Sequence, residues 1–284
     1  MSNAVVSAFK NKQLRKKLLF TTLILIVVRF GSQLPIPEID SAQISAYLKS
    51  TLGDSFSLLN SFTGGSFMQM SVFALSVTPY ITSSIIMQLL TIAIPKLEEM
   101  QKDGEDGRKK IAEYTRYLTV GLALFESCAM AVGLGGKGLL LEDHRNIWGY
   151  LTVVAAMTAG SALLMWIGER ITDNGVGNGI SIVLLINIVS GTPQDMMTLY
   201  ERFMAGRSVA VATVSGIIVL AIIVAIVVFV LVLNDAERRI PVQYSKKMQG
   251  RRMIGGQSTY IPLKVNTANV IPVIFASSIV TFPG

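Results

Sequence analysis

The feature that constrains this chain most is an unbroken apolar segment at residues 209–233, which contains no charged residue. The hydrocarbon core of a bilayer is about 30 Å thick, and roughly 20 helical residues cross it. This segment is therefore long enough to cross a membrane on its own. It must do so as a helix, because backbone amide and carbonyl groups without partners are too costly in lipid.

Six further apolar segments repeat the pattern, and only 15% of the residues are charged, against about 25% in soluble domains. No signal-peptidase cleavage pattern follows the first segment, so we interpret it as a retained helix. The last segment runs to the final residue, and we expect it to be completed in a longer chain. The sequence predicts an all-α polytopic membrane protein with spans at residues 18–34, 72–94, 117–134, 148–167, 176–192, 209–233 and 268–284.

The basic residues alternate between the connecting segments. Nineteen of the 25 Lys and Arg residues lie in residues 1–17, 95–116 and 234–267 and in the connection between the fourth and fifth spans. The connections on the opposite side hold five. An excess of Lys and Arg marks cytoplasmic segments, so the N-terminus is predicted to be cytoplasmic. The formal charge of +7 is mainly a topology signal and only weakly indicates nucleic-acid binding.

The external segment at residues 35–71 contains a short apolar piece at residues 56–62, followed by Gly64 and Gly65. This piece is too short to span a membrane. It is predicted to form a short re-entrant or interfacial helix that hinges at the glycine pair. Irregular backbone at membrane depth is tolerated only where protein or a water-filled cavity surrounds it.

The cytoplasmic segment at residues 234–267 contains two strand-like stretches, at residues 240–244 and 259–262. They flank a basic tip at residues 245–252. The pattern predicts a hairpin that projects from the membrane.

Motifs for catalysis or cofactor binding are incomplete. The glycines of residues 175–179 partly match a dinucleotide fingerprint, but no strand precedes them, so we interpret them as a tight turn before the fifth span. The chain has one histidine, His144, and one cysteine, Cys128, so neither a disulfide nor a cysteine-based metal site is expected within it. We predict no enzymatic activity, no metal site and no cofactor.

Ion-driven transporters usually place ionisable groups at mid-membrane. We assign only Arg29 to a predicted span, near its outer end, and interpret it as a side chain that snorkels to the interface. A secondary transporter with inverted repeats and a purely structural scaffold remain alternatives. Periodicity alone favours ordinary packing for Val77 with Ile81 and for Ile180 with Leu184. The remaining polar groups in these spans are interpreted as interhelical hydrogen-bonding groups: Asn187, Thr82, Ser83 and Ser84.

Four segments in order resemble the SecY family of protein-conducting channels: residues 73–90, 175–181, 249–266 and 271–278. The resemblance implies a helical channel of ten spans in two halves related by an inverted pseudo-repeat. About seven of the ten spans would lie in this chain, without the last three helices.

The resemblance also implies functional residues. A narrow apolar pore ring would be formed by Val77, Ile81, Ile180, Leu184 and Ile274. A plug that seals the external funnel would include Phe56, Leu58, Leu59, Phe62, Gly64 and Gly65. A lateral gate toward lipid, between the second and seventh spans, would include Thr82, Ile86, Ser278 and Phe282. Contacts with a ribosome or a motor would involve Lys246, Lys247, Arg251 and Arg252.

By the same resemblance, the protein would be the central pore subunit of a bacterial translocon in the plasma membrane. It would conduct unfolded secretory polypeptides and release transmembrane segments into lipid. Expected partners are the SecE and SecG subunits, the SecA motor ATPase, the ribosome, signal peptides, nascent secretory or membrane polypeptides, and membrane lipid.

Overall fold

The computed structural model describes residues 11–37, 39–40, 43–47, 60, 63–137, 146–242, 247–249, 252–254 and 259–266. The predicted span at residues 268–284 lies outside these ranges. The described helices of eight or more residues are α1 (Lys12–Ser32), α2 (Thr78–Ala93), α3 (Pro95–Lys102), α4 (Glu105–Gly136), α5 (Ile147–Asn174), α6 (Gly179–Phe203) and α7 (Val209–Asp235). The strands are β1 (Glu237–Val242), β2 (Lys247–Gln249), β3 (Arg252–Ile254) and β4 (Thr259–Lys264). The chain divides into two compact units, Met1–Gln194 and Asp195–Gly284.

Helix α1 begins in the basic N-terminal segment, before the predicted span at residues 18–34. The Asn11 side chain accepts a hydrogen bond from the Gln13 amide at 3.1 Å, and such an N-cap satisfies one of the free amides of the first turn. Only a narrow line of α1 is buried, at Thr21, Val28 and Ser32. Ile24 and Leu25 pack against the core and are partly buried, whereas Leu23, Ile26 and Phe30 face outward.

Helix α2 begins at Thr78, later than the predicted span at residues 72–94. Pro79 occupies the first turn, where its missing amide proton costs nothing. Residues 72–77 form turns, because Pro79 favours a helix start at this place. The apolar run before Pro79 gives no sign of this change in structure. The 16 residues of α2 span about 24 Å at about 1.5 Å per residue, so α2 alone is shorter than a hydrocarbon core of about 30 Å.

The end of α2 is also set by a proline. Ile94 is extended, with φ −109° and ψ 111°, because Pro95 disfavours helical backbone in the residue before it. Helix α3 then continues at an angle of 103° to α2. The chain therefore turns sharply where α2 ends.

Helix α5 is the most buried span of the first unit, with 44% of its apolar window inside the protein. It packs against α4, and the Ser127 and Thr158 hydroxyls lie 3.0 Å apart. Near the start of α4 and the end of α5, Arg116 Nε lies 2.6 Å from Glu169 Oε1. Polar contacts thus join these two helices at two levels.

The glycine-rich segment before α6 is a tight turn, as the sequence indicates. Gly177 has a φ of +71°, which glycine adopts without strain. The Asn178 carboxamide accepts a hydrogen bond from the Ser181 amide at 3.3 Å, and Thr172 Oγ1 accepts one from the Gly179 amide at 2.9 Å. Helix α6 continues to Phe203, beyond the predicted boundary at residue 192, and contains Pro193.

The second unit contains helix α7 and the paired strands. Helix α7 has a mean hydropathy of 3.6, and none of its apolar window is buried. Strand β1 pairs antiparallel with β4, with Glu237 opposite Lys264 and Val242 opposite Thr259. The guanidinium of Arg239 lies 4.7 Å from the centre of the Tyr260 ring. Strand β2 pairs with β3, within the predicted hairpin at residues 234–267.

Four of the described helices are long and apolar enough to cross a membrane: α4, α5, α6 and α7. The bent pair α2–α3 counts as a fifth if it is one span. These helices confirm the prediction of a mostly helical membrane protein.

Candidate functional site

The candidate site is an apolar cluster formed by α1, α5, α6, residues 72–77 and the first turn of α2. Its buried members are Val28, Phe73, Val77, Leu164, Ile167, Ile171 and Val183. Ile81, Ile180 and Leu184 pack against them and are only partly buried. The structure thus brings four of the predicted ring residues into one cluster. Ile274, the fifth, lies outside the described residues.

Two glycines let α5 and α6 approach closely at this cluster. A Cβ atom at Gly168 would collide with the Ile180 side chain, and one at Gly179 would collide with the Gly168 carbonyl oxygen. The two glycines therefore let the start of α6 lie against α5, and this contact sets the position of the Ile180 side chain. Ile180 and Leu184, one turn apart, lie on the same face of α6.

Helix α2 presents the described part of the predicted lateral gate. Thr82 and Ile86 lie four residues apart on one face, and both are half-buried. Ser278 and Phe282 lie outside the described residues, so the seam between the two spans stays a prediction. Ser83, which we expected to bond between helices, donates to the Pro79 carbonyl of its own helix at 2.7 Å.

Gly64 and Gly65 adopt left-handed backbone, with φ of +64° and +85°. We call this pair the glycine hinge. The apolar plug residues Phe56, Leu58, Leu59 and Phe62 lie outside the described residues. After the hinge, residues 64–77 form turns except for a β-bridge residue at 71, and most are buried. Burial in protein is the condition under which irregular backbone is tolerated in a membrane.

Polar side chains from three helices hold the segment between the hinge and α2. Arg29 Nη1 donates to the Gly64 carbonyl oxygen at 3.2 Å. Asn187 Nδ2 donates to Ser76 Oγ at 3.1 Å, and Ser161 Oγ donates to the Ser76 carbonyl oxygen at 3.3 Å. The expected interhelical role of Asn187 is thus replaced by a contact with this segment.

Ser76 needs such support because its φ is +51°. Backbone of this kind costs a non-glycine residue on the order of 1–3 kcal/mol. The sequence gives no sign of this strain, since Ser76 stands in an ordinary apolar run. The two hydrogen bonds to Ser76 hold it just before Val77 and the start of α2.

Two ionisable residues correct the sequence interpretation. Arg29 does not snorkel to the interface, because its side chain reaches Gly64. Glu126 lies within α4 and within the predicted third span, and our assignment of ionisable groups overlooked it. With a carboxylic acid inside the predicted third span, the scarcity of ionisable groups in the spans counts less strongly against a transporter.

The predicted ribosome or motor contacts fall in the hairpin. Lys247 lies in β2 opposite Ile254, and Arg252 lies in β3 opposite Gln249. Lys246 and Arg251 lie outside the described residues. The role of these four basic residues stays a prediction.

Comparison with known proteins places the chain. The SecY family model matches residues 71–284. The chain is 45% identical over 290 residues to the protein translocase subunit SecY of Corynebacterium glutamicum, and the match covers 99% of this chain and 64% of that protein. The chain therefore spans less than two thirds of the length of this curated relative.

Two solved structures share its fold. The first is a SecY protein whose plug domain stabilises the closed state of the translocation channel. It matches with a TM-score of 0.55 and 19% identity, over 94% of this chain and 56% of that chain. The other is Sec61 in the canine ribosome-channel complex, with a TM-score of 0.54, 19% identity, and coverage of 93% and 56%. These two structures show the shared fold, and the family match over residues 71–284 establishes that this chain belongs to the SecY family.

Proposed function

We propose that this chain is the pore-forming part of a Sec translocon channel in the bacterial plasma membrane. It conducts unfolded secretory polypeptides and releases transmembrane segments laterally into lipid, without catalysing a reaction or holding a cofactor. The observation that carries the proposal is the apolar cluster of Val77, Ile81, Ile180 and Leu184. It lies directly beside irregular buried backbone at membrane depth.

The chemistry of the ring suits a polypeptide pore. Aliphatic side chains offer no group that binds ions, and a narrow apolar constriction closes to water by dewetting. The same side chains contact a passing chain without preference for its sequence. Ile81, Ile180 and Leu184 are half-buried, as expected of residues that pack on one side and line a path on the other.

The plug and the gate complete the proposed cycle. The segment before the glycine hinge seals the pore at rest, in keeping with the SecY protein whose plug domain maintains a membrane seal. Thr82 and Ile86 of α2 form one side of the gate, and Ser278 and Phe282 form the other. A segment exposed there partitions by its own hydrophobicity, since a charged residue at mid-bilayer costs about 2.5–3.5 kcal/mol on insertion scales.

The proposed partners rest on the family resemblance, and the distribution of charge fits them. An N-terminus in the cytoplasm places the basic hairpin on the side where polypeptides arrive. Lys246, Lys247, Arg251 and Arg252 there contact the SecA motor or ribosomal RNA, since arginine suits bidentate phosphate contacts. The Sec61 relative was solved in a ribosome-channel complex. SecE and SecG complete the channel around the helices.

A disulfide crosslinking experiment in the full-length protein tests the proposal. Cys128 is replaced by serine, and single cysteines are placed at Ile81 and at Leu184. A matched control cysteine replaces Ile92, which lies on α2 and is 82% exposed. A secretory precursor with one cysteine is stalled in transit, and the membranes are oxidised.

Crosslinks at Ile81 and Leu184, but not at Ile92, that depend on the motor and on the signal sequence support the pore. The two positions lie on different helices, so both crosslink only if a chain passes between those helices. If all three positions behave alike, the cluster is ordinary packing, and the transporter alternative returns.

A further inference from the structure

Gly64 of the glycine hinge lies between α1 and α6. The Arg29 guanidinium donates to its carbonyl oxygen at 3.2 Å. A Cβ atom at Gly64 would lie 2.9 Å from Arg29 Nη1 and 3.0 Å from both the Cα and the carbonyl oxygen of Asn187. The hinge is thus held between a charged side chain and the backbone of α6.

Asn187 touches the other end of the same segment as well. Its side-chain amide donates to Ser76 Oγ, while its backbone borders Gly64. The segment from the glycine hinge to Ser76 therefore contacts α6 at both of its ends, and Asn187 makes both contacts. Val77, the first ring residue, follows Ser76 directly.

Asn187 also belongs to the ring face of α6. Ile180, Leu184 and Asn187 follow one another at helical spacing, four and then three residues apart, so they share a face. Asn187 lies one turn beyond Leu184 and is only 2% exposed. Among the described residues of α6, Asn187 is the only buried polar side chain.

The contacts are not optimised for stability. Among the described residues, Asn187 Oδ1 has no hydrogen-bond partner, and an unsatisfied buried acceptor is costly. Ser76 keeps a strained φ of +51°. An apolar residue of similar size would pack at position 187 without this cost. The polar contact at Asn187 is therefore not the most stable way to fill this position.

From this convergence we infer that Arg29 and Asn187 are positioning residues that couple the plug hinge to the pore ring. Arg29 holds Gly64 against α6, and Asn187 holds Ser76 at the same place. The plug then cannot leave without freeing the start of α2, and the ring cannot widen at Val77 without loosening the hinge. This inference rests on the proposed channel function.

The test uses Arg29→Met and Asn187→Leu in the full-length protein, with SecE and SecG, in planar bilayers. Each variant keeps the approximate size of the side chain and removes the hydrogen-bond donor. We expect the resting ion conductance to rise by about tenfold or more for Arg29→Met, in line with the loss of one hydrogen bond to a charged group. We also expect both variants to accept precursors with a defective signal sequence.

Matched controls separate coupling from general loosening. Arg170→Met removes a half-exposed arginine of α5, and Ser83→Ala removes a buried hydroxyl that bonds only within α2. Both should leave the resting conductance unchanged. Arg29→Lys keeps a cationic donor and should restore part of the seal. If Arg29→Met does not accumulate in membranes, Arg29→Lys and Asn187→Leu carry the test.

The conductance of each channel held open by a stalled precursor is measured in parallel. The coupling is overturned if the Arg29 and Asn187 variants both keep the resting conductance and the signal requirement of the unaltered protein. Normal open conductance in these variants would then show that the channel itself is intact. If the unaltered protein does not conduct around a stalled precursor, the proposed function fails, and the coupling falls with it. The increases in resting conductance are also compared in the double variant. Increases that are not additive support a direct coupling between Arg29 and Asn187.

Discussion

Helices α5 and α7 would both be identified as membrane spans from hydropathy, yet the protein uses them in opposite ways. Helix α5 has a hydropathy of 1.7 and 44% of its window buried, whereas α7 has a hydropathy of 3.6 and none buried. The less hydrophobic helix is therefore the more buried one. In lipid, apolar side chains gain little by packing on each other, so small and polar residues mark the helix interfaces.

The difference is visible in the residues. The buried line of α5 includes Gly160, Ser161 and Gly168, which allow close approach of neighbouring backbone. Helix α7 is almost entirely Val, Ile, Leu and Ala. A long run of large aliphatic residues thus indicates contact with lipid or with another apolar helix.

The largest expected effect is that of a charge in α7. Val224 is 53% exposed and lies near the middle of the helix. Val224→Arg should disfavour membrane insertion of α7 by about 3 kcal/mol on insertion scales, while Val224→Leu should have no effect. Insertion is measured by glycosylation of acceptor sites on either side of α7. Normal insertion of the arginine variant would show that α7 faces a polar environment and would remove the contrast with α5.

The second effect concerns side-chain size instead of charge, and here α5 is expected to be more sensitive than α7. A Cβ atom at Gly160 would collide with the Val72 carbonyl oxygen, whereas one at Gly216 of α7 would meet only the flexible end of Met204. Gly160→Val should lower the free energy of unfolding by about 1–3 kcal/mol, as overpacking does. Gly216→Val should change it by less than about 0.5 kcal/mol, as surface substitutions do.

Thermal unfolding of the purified protein in detergent measures both glycine variants. Equal losses at the two positions would mean that α7 is packed as tightly as α5. Equal tolerance would mean that the close approach of residues 63–77 to α5 does not contribute to stability.

Much of the helical architecture could be predicted from the sequence, because apolar length alone determines which segments cross the membrane. The start of α2 could not, since residues 72–77 are as apolar as the helix that follows. Only Pro79 marks the boundary, and proline in a membrane span is also compatible with a continuous helix. The predicted strands at residues 240–244 and 259–262 overlap β1 and β4, but of their bounds only the start of β4 at Thr259 is shared.

The polar contacts at the hinge could not be predicted for a different reason. Arg29 and Gly64 are 35 positions apart, and Asn187 and Ser76 are 111 apart. Hydropathy and periodicity describe one helix at a time and carry no information on such pairs. Arg29 was nevertheless a signal, since a charge inside a span requires a partner, and the snorkelling interpretation set it aside.

A smaller effect concerns the ion pair between α4 and α5. Arg116 Nε and Glu169 Oε1 are 2.6 Å apart, with side chains 47% and 25% exposed. Glu169→Gln should therefore cost only about 0.5–1 kcal/mol of unfolding free energy, as expected for a partly solvated pair. The charge-swapped double variant Arg116→Glu with Glu169→Arg should recover most of the loss. A loss that the swap does not recover would assign the role of Glu169 to another partner.

The smallest effect compares single hydroxyl groups in a packed and an unpacked helix. Ser127 Oγ lies 3.0 Å from Thr158 Oγ1 across the α4–α5 interface, whereas Ser215 Oγ donates only to Val211 of its own helix α7 at 2.8 Å. Interhelical hydrogen bonds in membranes contribute about 0.6 kcal/mol on average, so Ser127→Ala should lower stability by about that amount and Ser215→Ala should not. Because the difference is small, it is best measured by a double-mutant cycle with Thr158→Val. A coupling energy near zero would mean that close packing at Ala123 and Ala131, not the hydroxyl pair, holds α4 against α5, and the contrast with α7 would then depend on side-chain size alone.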